Sequence, residues 1–373
     1  MNHTPFPRVL ARFVLRLFSH LDGPMLILLG VLLCLGSVTV YSASGESSAK
    51  MLAQMANILV ALSAMLIASH IPPQRLLQFA PPAYILGTIL LLGVALFGVV
   101  VNGSRRWLDL GVTRIQPSEL MRLAVPMMLA WYFHMRQEVL KPRDFAIAAL
   151  LLVVPAGFIA RQPDLGTTLL ISASGFYVLF LAGLHWKVIA AAAAVFGAFL
   201  PVAWNYLLHD YQRDRVLTLV DPTSDPLGAG YHIIQSTIAV GSGGFAGKGW
   251  LEGTQAHLDF LPERSTDFIF AVYAEEFGLV GNLFLLLLYS AIIWRGLTLA
   301  AMAPSLFGRL LAGALVLNFF TYAFVNMGMV SGILPVVGVP LPLVSYGGTS
   351  MVSVMLGFGI IMSLATHKKL VKT

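Results

Sequence analysis

Apolar segments of about 20 residues recur along nearly the whole chain, and this repetition constrains its fold more than any other feature. Each segment is long enough to cross a bilayer, and it must be helical because the hydrocarbon layer offers its backbone no water. Charged residues make up 11% of the chain, against about 25% in soluble domains. The sequence therefore predicts an all-α polytopic membrane protein with ten transmembrane helices. The predicted spans are 24–42, 52–70, 83–101, 117–135, 145–160, 165–183, 187–207, 268–294, 307–329 and 347–366.

Residues 1–23 are predicted to form a basic amphipathic segment ahead of the first span. Arg8, Arg12 and Arg16 are spaced four apart, with apolar residues between them, as in a helix that lies on the cytoplasmic membrane surface. A cleaved signal peptide is the alternative. The apolar run that follows is long for such a peptide, and further spans come after it, which favours an uncleaved helix.

Two connections are unusual within what is predicted to be a single membrane domain of residues 1–373. Residues 208–267, between the seventh and eighth spans, form a loop far longer than most, which predicts a structure and a function of its own. Residues 330–346 carry no charge and three prolines. A loop this apolar is predicted to re-enter the membrane, where surrounding protein satisfies its backbone.

The distribution of Lys and Arg predicts the orientation, since cytoplasmic connections carry an excess of them. With the N-terminus inside, both termini are cytoplasmic, loop 208–267 faces outward, and the inner segments hold thirteen basic residues against nine outside. No basic block is long enough to track a nucleic acid. The thirteen are Arg8, Arg12, Arg16, Arg75, Arg136, Lys141, Arg143, Lys187, Arg295, Arg309, Lys368, Lys369 and Lys372.

Five arginines contradict this bias, because they lie on the outer side or inside a span. Basic residues there are costly and usually functional, and five at one membrane level suggest an anionic ligand. The alternative is that they only neutralise nearby acids such as Asp109, Glu119 and Asp164. The five are Arg105, Arg106, Arg114, Arg122 and Arg161.

Two outer corners, Gln-Pro-Ser-Glu at 116–119 and Gln-Pro-Asp at 162–164, have the composition of helix starts. Proline in the first turn followed by an acid explains both as structural caps. The functional interpretation is that Glu119 and Asp164 line a polar cavity between helices. The two interpretations are compatible.

The sequence GSGGFAGKGW at 241–250 superficially resembles a phosphate-binding loop. Ser242 and Gly249 stand where the pattern requires Gly and Ser or Thr, and the segment follows no strand. We interpret it as a flexible turn. The histidines show no metal-binding spacing.

Acidic residues gather at the mouth of the eighth span, in FLPERSTDFIFAVYAEEFG at 260–278. Ser265 or Thr266 could cap this helix, with Asp267 complementing its dipole. That explanation leaves out Glu275 and Glu276, two turns further on. Positions 267, 271, 274, 275 and 278 share one helical face of small and acidic residues, which predicts room for a ligand beside the carboxylates.

Chemistry at the outer face requires a substrate that carries its own activation, because nucleotide triphosphates are absent there. A sugar on a lipid diphosphate meets this requirement. Arginines bind phosphates bidentately, and a carboxylate can take the proton from an attacking sugar hydroxyl. The outer arginines and Asp267 therefore fit glycosyl transfer. The helix dipole would make Asp267 a weaker base, whereas burial and like charges would make it a stronger one.

Several long motifs resemble the SEDS family (shape, elongation, division and sporulation), and specifically its rod-shape branch, RodA. They cover essentially the whole chain and are DYQRDRVLTLVDPTSDPLGAGYHIIQS, GGFAGKGWLEGTQ, FLPERSTDFIFAVYAEEFGLVG and GVPLPLVSYGGTS, with RRWLDLG, QPSEL and QPDLGT in support. The resemblance implies a peptidoglycan glycosyltransferase that polymerises lipid II in the bacterial inner membrane during elongation. It also implies a class B penicillin-binding protein as transpeptidase partner, together with other membrane proteins of the elongation complex.

The resemblance assigns the family's catalytic aspartate to Asp267. It assigns the family's cavity residues to Arg114, Glu119, Arg122 and Asp164, and we add Arg161, Arg105 and Arg106 as candidates for substrate binding. We expect Glu263, Glu275 and Glu276 to surround the catalytic acid. This chain departs from the family at Ser265, where histidine is usual, and at Arg122, where lysine is common.

Three further hypotheses remain open at this point. A flippase for lipid-linked precursor would also need a polar, basic cavity, although its charges should extend through the membrane depth. A scaffold protein would need no acidic face. A divalent cation, Mg or Mn, bound by Asp267 is a second role for that residue.

Overall fold

The computed structural model describes residues 19–101, 104–109, 114–136, 140–162, 164–206, 210–224, 229–257, 261 and 263–367. At Arg105 and Arg114 it describes the backbone alone. The predicted amphipathic segment with Arg8, Arg12 and Arg16 lies outside the described residues.

Ten long helices occupy the described part of the chain at the positions of the ten predicted spans. They are α1 (Gly23–Ala43), α2 (Ser48–Ser69), α3 (Pro73–Phe97), α4 (Pro117–Met135), α5 (Pro142–Ala160), α6 (Leu165–Leu181), α7 (Trp186–Tyr206), α11 (Ile269–Met302), α12 (Leu306–Val330) and α13 (Gly348–Thr366).

Eight of these helices are long and apolar enough to cross a membrane, counting only described residues. The other two are α6, which is shorter, and α4, which carries Glu119 and Arg122 in its first two turns. Multiple spanning helices make this an all-α, multi-pass membrane protein. The polar residues of α4 therefore lie on an element otherwise built like a span.

Two predicted boundaries were wrong. Helix α3 begins at Pro73 rather than at 83, with Pro81 and Pro82 inside it. Helix α11 continues to Met302, eight residues beyond the predicted end at 294. Prolines are tolerated within membrane helices because neighbouring groups can satisfy the freed carbonyls.

Helices α12 and α13 form the centre of the bundle and are the most buried spanning helices among those described. Helix α12 packs against α4, α6, α11 and α13. Helix α13 lies against α2, and Gly359 allows their backbones to approach closely, since a side chain there would collide with the carbonyl of Met65. Small residues commonly permit such approaches between membrane helices.

Between α3 and α4 the chain forms a small antiparallel sheet that the sequence did not predict. Its strands are β1 (Val99–Val101), β2 (Ser104–Asp109) and β3 (Arg114–Ile115), in the order β1-β2-β3. Val99 pairs with Trp107, and Asp109 pairs with Arg114. The sheet places the backbones of the outer arginines next to the start of α4.

The connection between α7 and α11 is largely helical where it is described. It contains α8 (Asp210–Val220), a 3-10 turn at Pro222–Ser224, α9 (Ala229–Ser242) and α10 (Thr254–His257). Helix α9 packs against α11 and α12. The long loop therefore covers the mouth of α11.

Candidate functional site

Helix α11 is broken at Gly278, which has a φ of 60° and a ψ of −158°. The glycine-rich turn at 243–247 packs into this break. A side chain at Gly247 would collide with the carbonyl of Glu276, so only glycine fits. Four backbone hydrogen bonds of 3.0–3.1 Å join this turn and the two residues after it to the break. The amides of Lys248 and Gly249 donate to the carbonyls of Glu275 and Glu276, and the amides of Leu279 and Val280 donate to the carbonyls of Gly244 and Phe245.

This contact corrects two expectations. The segment 241–250 is a packed, hydrogen-bonded turn and not a flexible one. The face of small residues on α11 offers no room for a ligand, because Gly243 packs against the carbonyl of Ala274. The small residues serve a close approach of two backbones.

Glu275 and Glu276 are fully buried, and local partners account for most of their oxygens. Glu275 accepts from Lys248 Nζ at 2.6 Å, from Thr254 Oγ1 at 3.0 Å and from the backbone amide of Gln255 at 3.2 Å. Glu276 accepts from the hydroxyl of Ser42. These acids therefore fasten the long loop and α1 to α11.

Asp267 lies two residues before α11, whose N-cap residue is Phe268. No side chain caps this helix, so the predicted caps at Ser265 and Thr266 were wrong. The Thr266 hydroxyl instead donates to Glu263, at 3.1 Å to the carbonyl and 3.2 Å to Oε2. Glu263 itself is exposed and has a positive φ of 52°.

The apolar segment 330–346 and the end of α12 fix the backbone around Asp267. The amide of Asn326 donates to the Asp267 carbonyl at 2.8 Å, and the Ser345 hydroxyl donates to the Thr266 carbonyl at 2.6 Å. A Cβ on Gly338 would lie 3.3 Å from Asp267 Oδ2, so the segment also contacts the carboxylate. Sequence reasoning missed Asn326 and Ser345, since neither is charged nor part of a chemical motif.

Burial raises the pKa of Asp267 to about 6, and the nearby Glu263 carboxylate adds to the effect. Both causes disfavour the charged form and outweigh the stabilisation expected from the helix dipole. At neutral pH the group is mostly ionised, yet it holds a proton far better than an exposed aspartate.

A second polar group lies where α4, α6 and α13 meet. Arg122 pairs with Glu119 at 2.7 Å, and Glu119 also accepts from Ser353 at 3.2 Å. Arg106 pairs with Asp164 at 3.4 Å. Asp164 caps α6 by accepting from the Thr167 amide at 3.0 Å, so the capping and cavity interpretations hold together.

Arg122 lines a cavity of about 40 Å³ with Asn318, Tyr322 and Ser353, and its guanidinium lies 5.4 Å from the centre of the Tyr322 ring. The Nε of Arg122 and the Oδ1 of Asn318 are buried and have no hydrogen-bond partner among the described residues. This cavity is large enough for a few waters but too small for a sugar. A larger ligand would require the helices to move.

Segment 337–339 contacts both polar groups. A Cβ on Gly166, in the first turn of α6, would lie 2.7 Å from the Val337 carbonyl, while Gly338 borders Asp267. Val339 packs in a cluster with Leu170, Tyr322 and Val325. Segment 337–339 therefore lies between Asp267 and the elements that carry the Arg122 group.

The remaining candidates are not part of either group as described. Arg161 is the C-cap residue of α5 and is exposed. The side chains of Arg105 and Arg114 lie outside the described residues, and their predicted roles stay predictions.

Residues 23–370 match the family model of the cell cycle proteins FtsW, RodA and SpoVE. The chain belongs to this family. It is 53% identical over 353 residues to the peptidoglycan glycosyltransferase MrdB of Escherichia coli K12, a match that covers 94% of this chain and 95% of that protein. It is 34% identical to a probable peptidoglycan glycosyltransferase FtsW of Geobacter metallireducens, over 95% of this chain and 97% of that one.

Solved structures agree with this assignment. A peptidoglycan synthase complex, described as coordinating polymerization and crosslinking, contains a chain 33% identical to this one. The two superpose with a TM-score of 0.80, over 92% of this chain and 97% of that one. The rod shape determining protein RodA of Thermus thermophilus, in a variant with an aspartate replaced by alanine, is 28% identical with a TM-score of 0.69, over 92% and 97% of the two chains. The predicted SEDS family and RodA branch are confirmed.

Proposed function

We propose that this chain is a peptidoglycan glycosyltransferase that polymerises lipid II into glycan strands at the outer face of the bacterial inner membrane during cell elongation. The observation that carries the proposal is Asp267, a half-buried carboxylate whose backbone is fixed on two sides and whose pKa is raised to about 6. The names of the family relatives as glycosyltransferases support the same activity.

Asp267 is the general base of the proposed reaction. Its carboxylate takes the proton from the attacking sugar hydroxyl, whose oxygen then bonds to the anomeric carbon of the second lipid-linked sugar. The bond from that carbon to the diphosphate breaks on the opposite side, with inversion, and the diphosphate leaves with the electron pair. A pKa near the working pH suits a group that must both accept and release a proton.

Arg122 and Arg106 are proposed to hold the departing diphosphate. Each is paired with a carboxylate, Glu119 and Asp164 respectively, so each arginine would have to exchange its carboxylate contact for a phosphate contact. Arg122 also has a buried Nε that finds no hydrogen-bond partner in the described part of the chain and is available as a donor. Arg105, Arg114 and Arg161 stay in the proposal as further phosphate contacts on sequence grounds.

The proposed setting is a multi-pass protein of the inner membrane with both termini cytoplasmic. The proposed partner is a class B penicillin-binding protein that crosslinks the glycan, with other elongation-complex membrane proteins nearby. The similarity to a chain from a complex that couples polymerization and crosslinking supports this partner.

A divalent cation, Mg or Mn, held by Asp267 remains a second hypothesis. Among the described residues no three metal-binding side chains gather closely enough to hold an ion. In the described part of the chain, Glu263 is the carboxylate whose charge helps to raise the pKa of Asp267.

The test is Asp267→Asn, which keeps the shape of the side chain and removes its basicity. Purified with its partner and given labelled lipid II, the variant should make no glycan polymer on a gel, while expression, insertion and partner binding persist. Polymerisation near the wild-type rate would place the base elsewhere. Movement of lipid II across vesicles by both forms, with polymer from neither, would favour the flippase.

A further inference from the structure

Arg122 carries a donor that its ion pair with Glu119 does not use. Its Nη1 donates to Oε2 of Glu119 at 2.7 Å, and its guanidinium lies over the ring of Tyr322. Its Nε is buried and finds no hydrogen-bond partner within the described ranges. A buried N–H group without a partner costs free energy, so this donor requires an explanation.

Asn318, on helix α12 that packs against α4, carries the complementary atom. The residue is 7% exposed, and its Oδ1 is buried and likewise without a partner in the described part of the chain. Arg122 and Asn318 line the same cavity of about 40 Å³. An arginine Nε–H is only a donor and an amide oxygen only an acceptor, yet the two atoms do not bond to each other. The distance between them therefore exceeds that of a direct hydrogen bond.

A water molecule between the two atoms satisfies both. Its oxygen accepts from Nε, and one of its hydrogens goes to Oδ1. The cavity exceeds the roughly 10–15 Å³ that one water occupies. Ser353 adds a third polar group to the cavity wall, and its hydroxyl keeps lone pairs after donating to Glu119 at 3.2 Å. Three polar partners are the usual number for a buried water.

The charges around this position exclude an ion. A cation beside Nε would be repelled by the guanidinium, and an anion would face the lone pairs of Oδ1. Apart from Arg122, Asn318, Tyr322 and Ser353, the wall of the cavity is apolar. The position therefore takes a neutral molecule of the size of water.

We propose that a water bound between Nε of Arg122 and Oδ1 of Asn318 joins α4 to α12 and positions the guanidinium for the lipid diphosphate. This inference rests on the proposed role of Arg122 in holding that diphosphate. The water keeps the stem of the side chain in place while Nη1 exchanges Glu119 for a phosphate oxygen. Asn318 is a positioning residue, because it acts through Arg122 and does not touch the substrate. Such fixing matters, since small displacements of a binding group lower rates strongly.

A double-mutant cycle tests the link between the two residues. Arg122→Lys keeps the positive charge but has no N–H in place of Nε, and Asn318→Leu nearly keeps the volume but removes the acceptor. Steady-state polymerisation of labelled lipid II is measured with the partner present. Asn318→Leu alone should lower kcat/KM about tenfold, because it leaves the buried Nε unsupported. Combined with Arg122→Lys, the same substitution should change kcat/KM by less than about twofold.

Asn282→Leu is the matched control. Asn282 lies on α11, and its Oδ1 is also buried without a partner among the residues described, but it does not line the cavity of Arg122. Its replacement should leave kcat/KM as in the wild type, both alone and combined with Arg122→Lys.

X-ray radiolytic labelling detects the water directly and does not depend on activity. Hydroxyl radicals formed from a bound water modify the side chains that line its cavity, here Phe319, Tyr322 and Phe358, each at most 4% exposed. The wild type should be modified at these residues, and Asn318→Leu about tenfold less. Phe133, which is fully buried and outside the cavity, should stay unmodified in both.

The outcomes separate this inference from the proposed function. Wild-type kinetics in Asn318→Leu, or an equal loss of kcat/KM with and without Arg122→Lys, overturns the positioning role. No labelling of the cavity in the wild type overturns the water, and this readout still decides if Asn318→Leu does not fold. Polymerisation by Asp267→Asn would instead contradict the proposed function, while the labelling result for the water stands by itself.

Discussion

One amide nitrogen of Asn326 donates to the backbone carbonyls of both Asp267 and Val339, over 2.8 Å and 2.6 Å. Asn326 lies near the end of α12 and is fully buried. It therefore ties the candidate base to segment 337–339, which also borders the Arg122 group. Positioning of this kind matters because small displacements of a catalytic group can lower rates strongly.

Asn326→Asp removes the donor and keeps the size of the side chain. The two carbonyls would then face a carboxylate, so we expect lower thermal stability in detergent and polymerisation reduced about tenfold or more. Asn205→Asp is the control, since the amide of Asn205 also donates to a carbonyl but is exposed. Equal effects of the two substitutions would argue against a positioning role for Asn326.

The raised pKa of Asp267 predicts the pH dependence of the rate. The base must be ionised to accept a proton, so polymerisation should fall as the pH drops through about 6. Glu263→Gln removes a like charge and should shift this midpoint to lower pH. A midpoint near 4 in the wild type would contradict the burial of Asp267.

The same group predicts how stability changes with pH. The pKa of Asp267 is raised from 3.8 to about 6 on folding, so the fold favours the protonated form. That contribution is present below 3.8 and is lost as the pH rises through 6. Asp267→Asn should therefore exceed the wild type in stability at pH 7.5, by at most about 2–3 kcal/mol, and match it near pH 4. Thermal unfolding at the two pH values measures the difference.

Arg122→Ala should weaken the use of lipid II by about tenfold or more, while the protein still inserts, because a charged phosphate contact is worth about 1.5–3 kcal/mol. Arg309→Ala, at an exposed position near the start of α12, is the control and should leave the kinetics unchanged. Steady-state kinetics with labelled lipid II provides the measurement. Unchanged kinetics in Arg122→Ala would mean that this arginine only neutralises Glu119.

Lys248→Met should destabilise the protein by about 3 kcal/mol or more, because it leaves the fully buried Glu275 without its cation. The double variant Lys248→Met, Glu275→Gln removes the stranded charge and should recover most of that loss. Thermal unfolding of the wild type and both variants completes the comparison. A double variant no more stable than the single one would show that the pair is not coupled.

A topology reporter checks the orientation independently. Fused within the exposed part of 208–267, it should be active only outside the cytoplasm, as the thirteen-to-nine basic bias predicts. Activity in the cytoplasm would invert the assignment of the site to the outer face.

The ten helix positions could be predicted because each depends on a local property, the length of an apolar run. The capping of α6 by Asp164 could be predicted for the same reason, because the amide that it accepts from lies only three residues further along the chain. The contact between the turn at 243–247 and the break at Gly278 was not, because it joins residues about 30 positions apart through backbone atoms. Sequence reasoning saw the small residues of α11 and assigned the space to a ligand, whereas another part of the chain fills it.

The hydrogen bonds by which α12 and segment 330–346 fix the backbone around Asp267 could not be predicted either. Asn326 and Ser345 act through single hydrogen bonds to distant carbonyls, and their residue types carry no chemical signature. The sequence did identify the acid itself, because a charge at the mouth of an apolar helix is conspicuous.

The break in α11 is held rigid by the outer loop rather than left free to bend. The four hydrogen bonds attach residues on both sides of Gly278 to that loop: Glu275 and Glu276 before it, and Leu279 and Val280 after it. When the membrane thins or a neighbouring helix leans on α11, the outer part of the helix and the loop therefore tilt together. A polymerase that works while its membrane bends would then keep its carboxylate in register with the loop, and assays in bilayers of different thickness should find its rate nearly constant.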